Sequence, residues 1–337
     1  MNPDPPNRPI VYLLATGGTI AGRAASPMQT TGYRAGELSV ADLMAAVPGL
    51  SSIAEIHGEQ ICNVASPYIT VDIWLKLAQR INEILASQPA VNGVVVTHGT
   101  DSLEETAYFL NLVVKSNKPV VVVGSMRPAT SISPDGPLNL VDAVRVAAAP
   151  EAVGQGVLVV LNDEIFAARD VSKTHVSQLH TFRSHDLGAL GGISGGVVSF
   201  YRQVLRRHTK DSEFTLLQLP TLPRVDIIYA HLGADGALVD AAVAAGARGI
   251  VLAAMGQGGG TESQNAALQR ANEQGVVIVR SSRTGSGRIL PQRPEWLEQG
   301  AFVSADNLNP QKARILLTLA LTRTTDKAEI QRMFSTY

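Results

Sequence analysis

The chain has 337 residues, of which 45% are hydrophobic and 17% are charged, and its formal net charge is −1. This composition is ordinary for a globular protein and excludes a disordered chain, and the near-zero charge leaves no whole-protein field to attract nucleic acid or an anionic membrane. No apolar run approaches the roughly 18 to 20 residues that span a bilayer, and the length favours two domains over one.

The single cysteine, Cys62, excludes an intrachain disulfide and fits a reducing compartment. Residues 1–9 are rich in proline and asparagine and carry no charged-then-apolar leader. We therefore expect a cytoplasmic protein, or a periplasmic one if a signal peptide has been removed.

Short apolar runs alternate with longer amphipathic segments along the whole chain. The runs that we predict to be strands are residues 10–15, 93–98, 119–124, 157–162, 226–230, 250–254 and 276–280. Most are continuously apolar, as in parallel strands that are buried on both faces beneath helices.

The segments between these strands carry helix start signals. Ser102 and Glu105 have the spacing of a capping box ahead of an apolar stripe, and Thr70 is placed to cap an earlier helix. Asn309 followed by Pro310 predicts a further helix, because asparagine caps well and proline suits the first turn.

Together these patterns predict an α/β protein of two domains. Residues 1–202 would form an N-terminal catalytic domain with a wound, mostly parallel sheet flanked by helices, and residues 224–337 a smaller C-terminal α/β domain. Residues 203–223 hold a basic cluster and two prolines, and we interpret them as a solvated linker.

A glycine-rich segment, ATGGTIAG at residues 15–22, follows the first predicted strand. Two glycines allow a tight turn and close approach of a ligand, and they place Thr19 where open α/β sheets bind ligands. A plain strand-to-loop turn is the alternative, and a phosphate loop is excluded because its GK[ST] ending is missing.

Residues 22–36 form a long segment with no apolar period, flanked by glycines and carrying Tyr33 near its far end. Loops of this length in compact domains are usually functional or disordered. We interpret the segment as a lid that brings a phenol over the site, with a flexible surface loop as the alternative.

A second motif, VTHGTD at residues 96–101, leads into the helix at Ser102. Thr100 and Asp101 thus precede a helix N-terminus, whose backbone N–H groups favour negative charge and suit a developing oxyanion. Asp101 alone would also fit a first-turn acid that supports the helix dipole, and His98 is typical of a packed strand-end histidine.

Lys173 lies in RDVSKT at residues 169–174 and would act as a base or proton relay if folding placed it near Thr100; otherwise it is a solvent-exposed lysine. Three histidines follow, His175, His180 and His185, but their five-residue spacing shares no helical face and forms no metal motif. We expect neither a metal site nor an organic cofactor.

With these motifs the chain resembles the bacterial L-asparaginases and glutaminase-asparaginases, most closely the high-affinity type II L-asparaginases. The resemblance spans nearly the full length and includes ATGGTIAG, THGTDSLEETAYFL, GSMRP, PDGPLNL, RDVSKT, VRSSR and LNPQKAR. It implies a homotetramer of intimate dimers with active sites between subunits.

The same resemblance implies a role for each matching residue. Thr19 would be the nucleophile and Tyr33 its lid partner, while Thr100, Asp101 and Lys173 would form a second catalytic cluster. The implied substrate-binding residues are Ser66 for the α-carboxylate, Gly99, Thr100, and Asp101 for the α-ammonium.

Three positions depart from the family pattern. Pro67 stands where a Gln or Glu is common, and Gly259 where a neighbouring subunit supplies an asparagine. A glutamate that the neighbour also supplies has no match in residues 283–288, and the cysteine pair of some exported members is absent. We expect these departures to affect affinity and substrate range rather than chemistry.

The sequence thus predicts an L-asparaginase that acts through a threonine acyl-enzyme. A glutaminase-asparaginase with comparable activity on L-glutamine is the nearest alternative, because one methylene is worth only about 1–3 kcal/mol of discrimination. A non-catalytic amino-acid sensor and a tRNA-dependent amidotransferase subunit are weaker alternatives, since mere binding needs no nucleophile and the chain has no basic surface excess.

Overall fold

The computed structural model describes residues 8–216, 222–292 and 300–337. The chain divides into two compact units, Met1–Glu213 and Phe214–Tyr337. The division lies inside the predicted linker, of which residues 217–221 are outside the described residues. In the described ranges, no helix combines the length and apolar character needed to cross a membrane.

The first unit is built on an eight-stranded sheet. Its strands are β1 (Ile10–Gly17), β2 (Glu55–Val64), β3 (Val91–Thr97), β4 (Val120–Val123), β5 (Val157–Leu161), β6 (Glu164–Ala167), β9 (Gly191–Ser194) and β10 (Val197–Phe200). Two short strands, β7 (Ser172–Lys173) and β8 (Phe182–Arg183), pair antiparallel in a separate sheet. The large sheet has the order β10-β9-β6-β5-β4-β3-β1-β2.

The sheet is parallel in one part and antiparallel in the other. Strands β2, β1, β3, β4 and β5 pair in parallel, whereas β6, β9 and β10 extend the sheet in antiparallel pairs. The central strands β4 and β5 are fully buried apolar runs and β3 is buried except at Asn92, as the sequence predicts for strands covered on both faces.

Helices of the first unit follow the strands. They are α1 (Val40–Ala45), α2 (Leu50–Ile53), α3 (Val71–Ser87), α4 (Leu103–Val113) and α5 (Gly136–Ala148). The Thr70 side chain caps α3 as predicted, by accepting from the N–H of Ile73.

The predicted capping box at Ser102 is wrong. Ser102 does precede α4, but its side chain makes no cap hydrogen bond. Its hydroxyl donates instead to the carbonyl oxygen of Ser66, at 2.8 Å. The hydroxyl therefore donates in a tertiary hydrogen bond and accepts no backbone N–H of the first helical turn, and this bond becomes part of the site.

The second unit holds a four-stranded, all-parallel sheet of the order β11-β12-β13-β14. Its elements are β11 (Val225–Tyr229), α6 (Ala237–Ala244), β12 (Gly249–Ala254), α7 (Glu262–Glu273), β13 (Val277–Ser282), β14 (Val303–Ser304), α8 (Pro310–Ala320) and α9 (Lys327–Thr336). The Asn309 cap of α8 is confirmed, with Pro310 in the first turn. The predicted fold class, a large mostly parallel sheet plus a smaller α/β unit, is confirmed.

Candidate active site

The first glycine-rich motif forms a tight turn at the carboxyl end of β1. Gly17 and Gly18 have φ angles of 102° and 81°, in the left-handed region that side chains other than glycine disfavour. A Cβ on Gly17 would lie 2.6 Å from backbone atoms of Val64, so the turn also needs glycine for space. Thr19 follows at once, begins the 3-10 helix Thr19–Ala21 and is buried.

The second motif meets the first at the same edge of the sheet, because β1 and β3 are parallel neighbours. A Cβ placed on Gly18 would lie 2.3 Å from Cα of Gly99, and one on Gly99 would lie 2.8 Å from the Ser66 side chain. Gly18, Gly99 and Ser66 are therefore in direct contact, and Thr19 and Thr100 each follow one of these glycines. This edge is where parallel α/β sheets bind ligands.

Tyr33 reaches Thr19 from the long loop at residues 22–36, which we call the lid loop. The Thr19 Oγ1 and Tyr33 Oη atoms are 2.7 Å apart, and either hydroxyl is able to donate. Burial raises the pKa of the Tyr33 phenol, the bond with Thr19 opposes this rise, and the nearby Asp101 and Asp135 carboxylates add to it. The phenol is thus neutral at ordinary pH.

Lys173 lies beside the second motif. Its ammonium donates to Thr100 Oγ1 at 2.9 Å and to Asp101 Oδ1 at 2.6 Å. The Lys173 side chain is mostly buried, with 17% of its surface exposed, whereas the Asp101 side chain is 64% exposed. The sequence-predicted cluster of Thr100, Asp101 and Lys173 is therefore brought together, with Asp101 on its open side.

Ser66 is held between the two motifs. Its hydroxyl accepts from the N–H of Asp101 at 3.2 Å, and its carbonyl oxygen accepts from the Ser102 hydroxyl. The Ser66 hydroxyl keeps one O–H for donation, which suits a carboxylate ligand. Thr19, Tyr33, Ser66, Gly99, Thr100, Asp101 and Lys173 all lie in the first unit.

His98 takes no part in this edge chemistry. It is fully buried, its Nδ1 lies 2.7 Å from the Gly99 carbonyl oxygen, and its Nε2 lies 2.8 Å from Thr106 Oγ1. Burial lowers its pKa to about 4. His98 is a packed, neutral strand-end histidine, as the sequence favours.

The histidine-rich segment shows no metal-ligand geometry. His175 Nδ1 accepts from the backbone N–H groups of Ser177 and Gln178, which places it in a local turn. Across the part of the chain that the structure describes, no three or more His, Cys, Asp or Glu side chains group in a way that would hold a metal ion.

Two of the three departures from the family pattern have a clear structural setting. Pro67 is exposed, next to Ser66 in the 3-10 helix Ser66–Tyr68. Gly259 lies in the second unit, in a bridge with Met255, and its φ angle is not in the left-handed region. Both positions therefore accept a polar side chain without backbone strain.

One residue of the site is not predicted from the sequence. Glu104, on α4, is buried and accepts the backbone N–H of Lys173 at 2.6 Å. The only local signal was a second acid beside Glu105 in the first helical turn, which is typical of helices in general. The partner lies 69 positions away, so no local pattern reveals the contact.

Family descriptions match both parts of the chain. Residues 10–206 match the asparaginase N-terminal family, and residues 224–334 match the glutaminase/asparaginase C-terminal domain. The chain is 52% identical to L-asparaginase 2 of Bacillus subtilis (strain 168), over 98% of this chain and 87% of that protein.

Other relatives carry related names. The chain is 45% identical to a probable periplasmic L-asparaginase of Haemophilus influenzae, over 98% of this chain and 93% of that protein. It is 46% identical to a glutaminase-asparaginase of Pseudomonas fluorescens biotype A, over 97% and 90% respectively. A solved structure, a probable cytoplasmic L-asparaginase from Campylobacter jejuni, superposes with a TM-score of 0.94 at 45% identity, covering 98% of this chain and all of that one.

Proposed function

The chain belongs to the asparaginase family and is an L-asparaginase, and we propose that it hydrolyses the side-chain amide through a covalent ester on Thr19. The main support for the proposal is that two pairs of side chains, each built on a threonine hydroxyl, lie at one edge of the sheet. Thr19 pairs with Tyr33, and Thr100 pairs with Lys173, next to Ser66.

In the first step, the Thr19 oxygen attacks the amide carbon of the substrate side chain. The carbon–nitrogen bond breaks, the proton lost by Thr19 passes to the leaving nitrogen, and ammonia departs. Water then attacks the ester carbon, one of its protons passes to the Thr19 oxygen as the bond to Thr19 breaks, and L-aspartate is released. The groups supplied by the chain and one water molecule balance both steps, so the proposal includes no cofactor.

Two groups remain alternatives for the base that takes the Thr19 proton. Tyr33 is in direct contact with Thr19, but its raised pKa makes the phenolate scarce, so it must pass on its own proton as it accepts one. Lys173, acting through Thr100, is the other. The pH dependence of kcat in Tyr33→Phe distinguishes the two candidate bases. If Lys173 is the base, kcat declines at high pH in Tyr33→Phe as it does in the parent.

The polar groups around the turn suit a zwitterionic amino acid. In the proposal the Ser66 hydroxyl donates to the substrate α-carboxylate, and the open carboxylate of Asp101 accepts from the α-ammonium. Backbone groups at Gly99 and Thr100 border the same space and position the amide.

Replacing the proposed nucleophile tests the mechanism. Thr19→Ala should fold normally and lose most turnover on L-asparagine, because losses of a nucleophile reach roughly 10⁶ in kcat elsewhere. Thr19→Ser should keep part of the activity and trap a serine ester that mass spectrometry detects. Near-normal turnover in Thr19→Ala would refute the assignment.

Comparable activity on L-glutamine is a second candidate, favoured by the relatives that are named glutaminase-asparaginase at 46% and 45% identity. Steady-state kinetics on L-asparagine, L-glutamine and D-asparagine decide between the two. A ratio of kcat/KM for L-asparagine over L-glutamine near one supports the dual activity, and a ratio above about a hundred supports asparaginase alone.

Assembly, domain roles and location belong to the same proposal. We expect a homotetramer of intimate dimers in which residues 1–202 form the catalytic domain, residues 203–223 the linker and residues 224–337 the C-terminal domain. The relatives include one named periplasmic and one named cytoplasmic. Fractionation of the native cells decides which location this chain shares.

A further inference from the structure

The backbone of Lys173 is tied to helix α4 by a buried carboxylate. Glu104 Oε2 accepts the Lys173 N–H at 2.6 Å, and Glu104 is 3% exposed. We propose that Glu104 is a positioning residue that holds Lys173 within reach of Thr100 and thereby sets the turnover rate. The inference rests on the role of Lys173 under the proposed function.

The strand that carries Lys173 gives it little support of its own. Strand β7 has two residues and lies outside the eight-stranded sheet, pairing only with the equally short β8 among the described strands. Two-stranded pairs are marginally stable in water. A charge-assisted hydrogen bond donated to a buried carboxylate is stronger than one between neutral groups, so Glu104 is well suited to fix the backbone of Lys173.

Helix α4 connects the segment that carries Thr100 to the carboxylate that holds the Lys173 backbone. Thr100 and Asp101 immediately precede the helix, and Glu104 lies in its first turn. The Lys173 ammonium contacts Thr100 and Asp101 while the Lys173 backbone contacts Glu104. One rigid element therefore determines the separation between the Thr100 hydroxyl and the lysine. Misplacement of a reacting group by about 1 Å costs about a hundredfold in rate.

A purely structural role is the competing explanation. An acid in the first turn of a helix stabilises the helix whatever it contacts. Glu105 is an acid of the same turn and provides the comparison. If Glu104 acted only on the helix dipole, changes at Glu104 and Glu105 would shift stability in the same way and leave turnover unaffected.

The test compares Glu104→Leu, Glu104→Gln and Glu105→Leu by kcat, KM and melting temperature. Glu104→Leu should lower kcat for L-asparagine about a hundredfold and change KM less than about threefold. Glu104→Gln should keep kcat within about fivefold of the parent, because the amide oxygen still accepts the N–H although the charge is lost. Glu105→Leu should leave both constants unchanged.

The same change in a Lys173→Met background shows whether Glu104 acts through the lysine. Residual ammonia release at high enzyme concentration should then fall less than about twofold on adding Glu104→Leu, because residues that act as a unit are non-additive. A hundredfold loss there, or equal losses in Glu104→Leu and Glu104→Gln, overturns the inference. Full activity of Lys173→Met alone would instead refute the proposed role of the lysine.

Should Glu104→Leu not fold, Glu104→Met replaces it, because methionine favours the helix and has no oxygen to accept the Lys173 N–H. A kcat in folded Glu104→Met within about threefold of the parent overturns the inference, and a loss approaching that of Lys173→Met, with Glu104→Gln near the parent, supports it.

Discussion

His98 has both ring nitrogens engaged in a chain of neutral hydrogen bonds. His98 Nδ1 donates to the Gly99 carbonyl oxygen, so Nε2 of the neutral ring accepts from the Thr106 hydroxyl, whose oxygen in turn accepts the Trp74 N–H. Burial disfavours a second proton on the ring, and a proton on Nε2 would also take away the acceptor of the Thr106 hydroxyl. This explains why the pKa of His98 falls to about 4 from its usual 6.5.

Acid should therefore destabilise the first unit through His98. Because its folded pKa is lowered, its stabilising effect is complete above pH 6.5 and is lost as the pH falls towards 4. The total loss is on the order of 3 kcal/mol. Urea unfolding of His98→Gln between pH 7 and 4 should show a shallower pH slope than the parent, whereas the exposed His231→Gln should keep it. An unchanged slope in His98→Gln would contradict the assignment.

Pro67 leaves a polar contact unmade beside Ser66. It has no side-chain polar group and is exposed in the 3-10 helix, where an added backbone N–H needs no intrahelical partner. Pro67→Gln should lower the KM for L-asparagine about tenfold with little change in kcat, because a bond to a charged head group is worth about 1.5–3 kcal/mol. Tyr68→Gln, one exposed position further on, is the control. An unchanged or higher KM in Pro67→Gln would show that the head group is held in another way.

At the scale of elements, hydrogen bonds hold the lid loop at several points. Arg23 and Arg34 exchange backbone hydrogen bonds across it, the Ala129 N–H donates to Gly22, and the Ala24 N–H donates to Thr130 Oγ1 at 2.8 Å. Tyr33 is thereby held over Thr19. The sequence predicts a lid, with a flexible surface loop as the alternative; these contacts attach the loop to residues 129–130, and its closure on substrate stays a prediction.

Removing one of these hydrogen bonds should make the lid loop more mobile. Thr130→Val deletes the acceptor of the Ala24 N–H and nearly conserves volume, so it should lower kcat/KM about fivefold, equivalent to about 1 kcal/mol. Hydrogen exchange at residues 23–36 should quicken, and saturating L-aspartate should slow it again. Thr31→Val, on the exposed part of the lid loop, serves as the control. Parent-like exchange and activity in Thr130→Val would argue that the loop closes independently of this bond.

The sequence predicts an element well when the apolar residues of that element themselves indicate that it is buried. Strands β3, β4 and β5 are apolar on both faces and were predicted within two residues of their observed bounds. Strand β2 was missed because it is half-exposed at the sheet edge, and only its pairing with β1 defines it. The short β6 and β10 pair with the strands next to them in sequence, β5 and β9, and only the β6–β9 pairing joins segments distant in sequence.

The same distinction holds for the candidate site. The glycine turn before Thr19 is a local signal, since left-handed backbone at the end of a strand requires glycine. No local pattern predicts that Lys173 lies beside Thr100, and only the family resemblance implies it. The contact of Glu104 with Lys173 is not predicted by the sequence. The helix start at Ser102 is predicted correctly, but its hydroxyl donates to the Ser66 carbonyl oxygen and accepts no N–H of the helix, and no local pattern reveals this tertiary contact.

At the scale of the whole molecule, the single chain exposes several large apolar side chains. Leu205 and Leu232 are each 95% exposed, Val176 is 87% exposed and Tyr201 is 83% exposed. Single exposed apolar side chains are common on a monomer and do not by themselves define an interface, so the expected tetramer rests on the family resemblance. Light scattering should therefore give about four times the 35.6 kDa of one chain at micromolar concentration. A fully active species of one chain mass would refute the proposed tetramer.

Gly259 offers a way to ask whether a neighbouring chain completes each site, as the family resemblance implies. The backbone there is not left-handed, and a Cβ would lie 3.2 Å from the Met255 carbonyl oxygen, which must move by a few tenths of an ångström to admit a side chain. Gly259→Asn should then lower the KM for L-asparagine about tenfold without altering kcat, because an added amide contacts the head group alike in ground and transition states. Gly49→Asn makes the same change at a glycine of the first unit with open space around it. If the gain comes from a neighbour, it disappears when dilution dissociates the oligomer, and a gain that survives in the separated chain would place the Gly259 contact within one subunit.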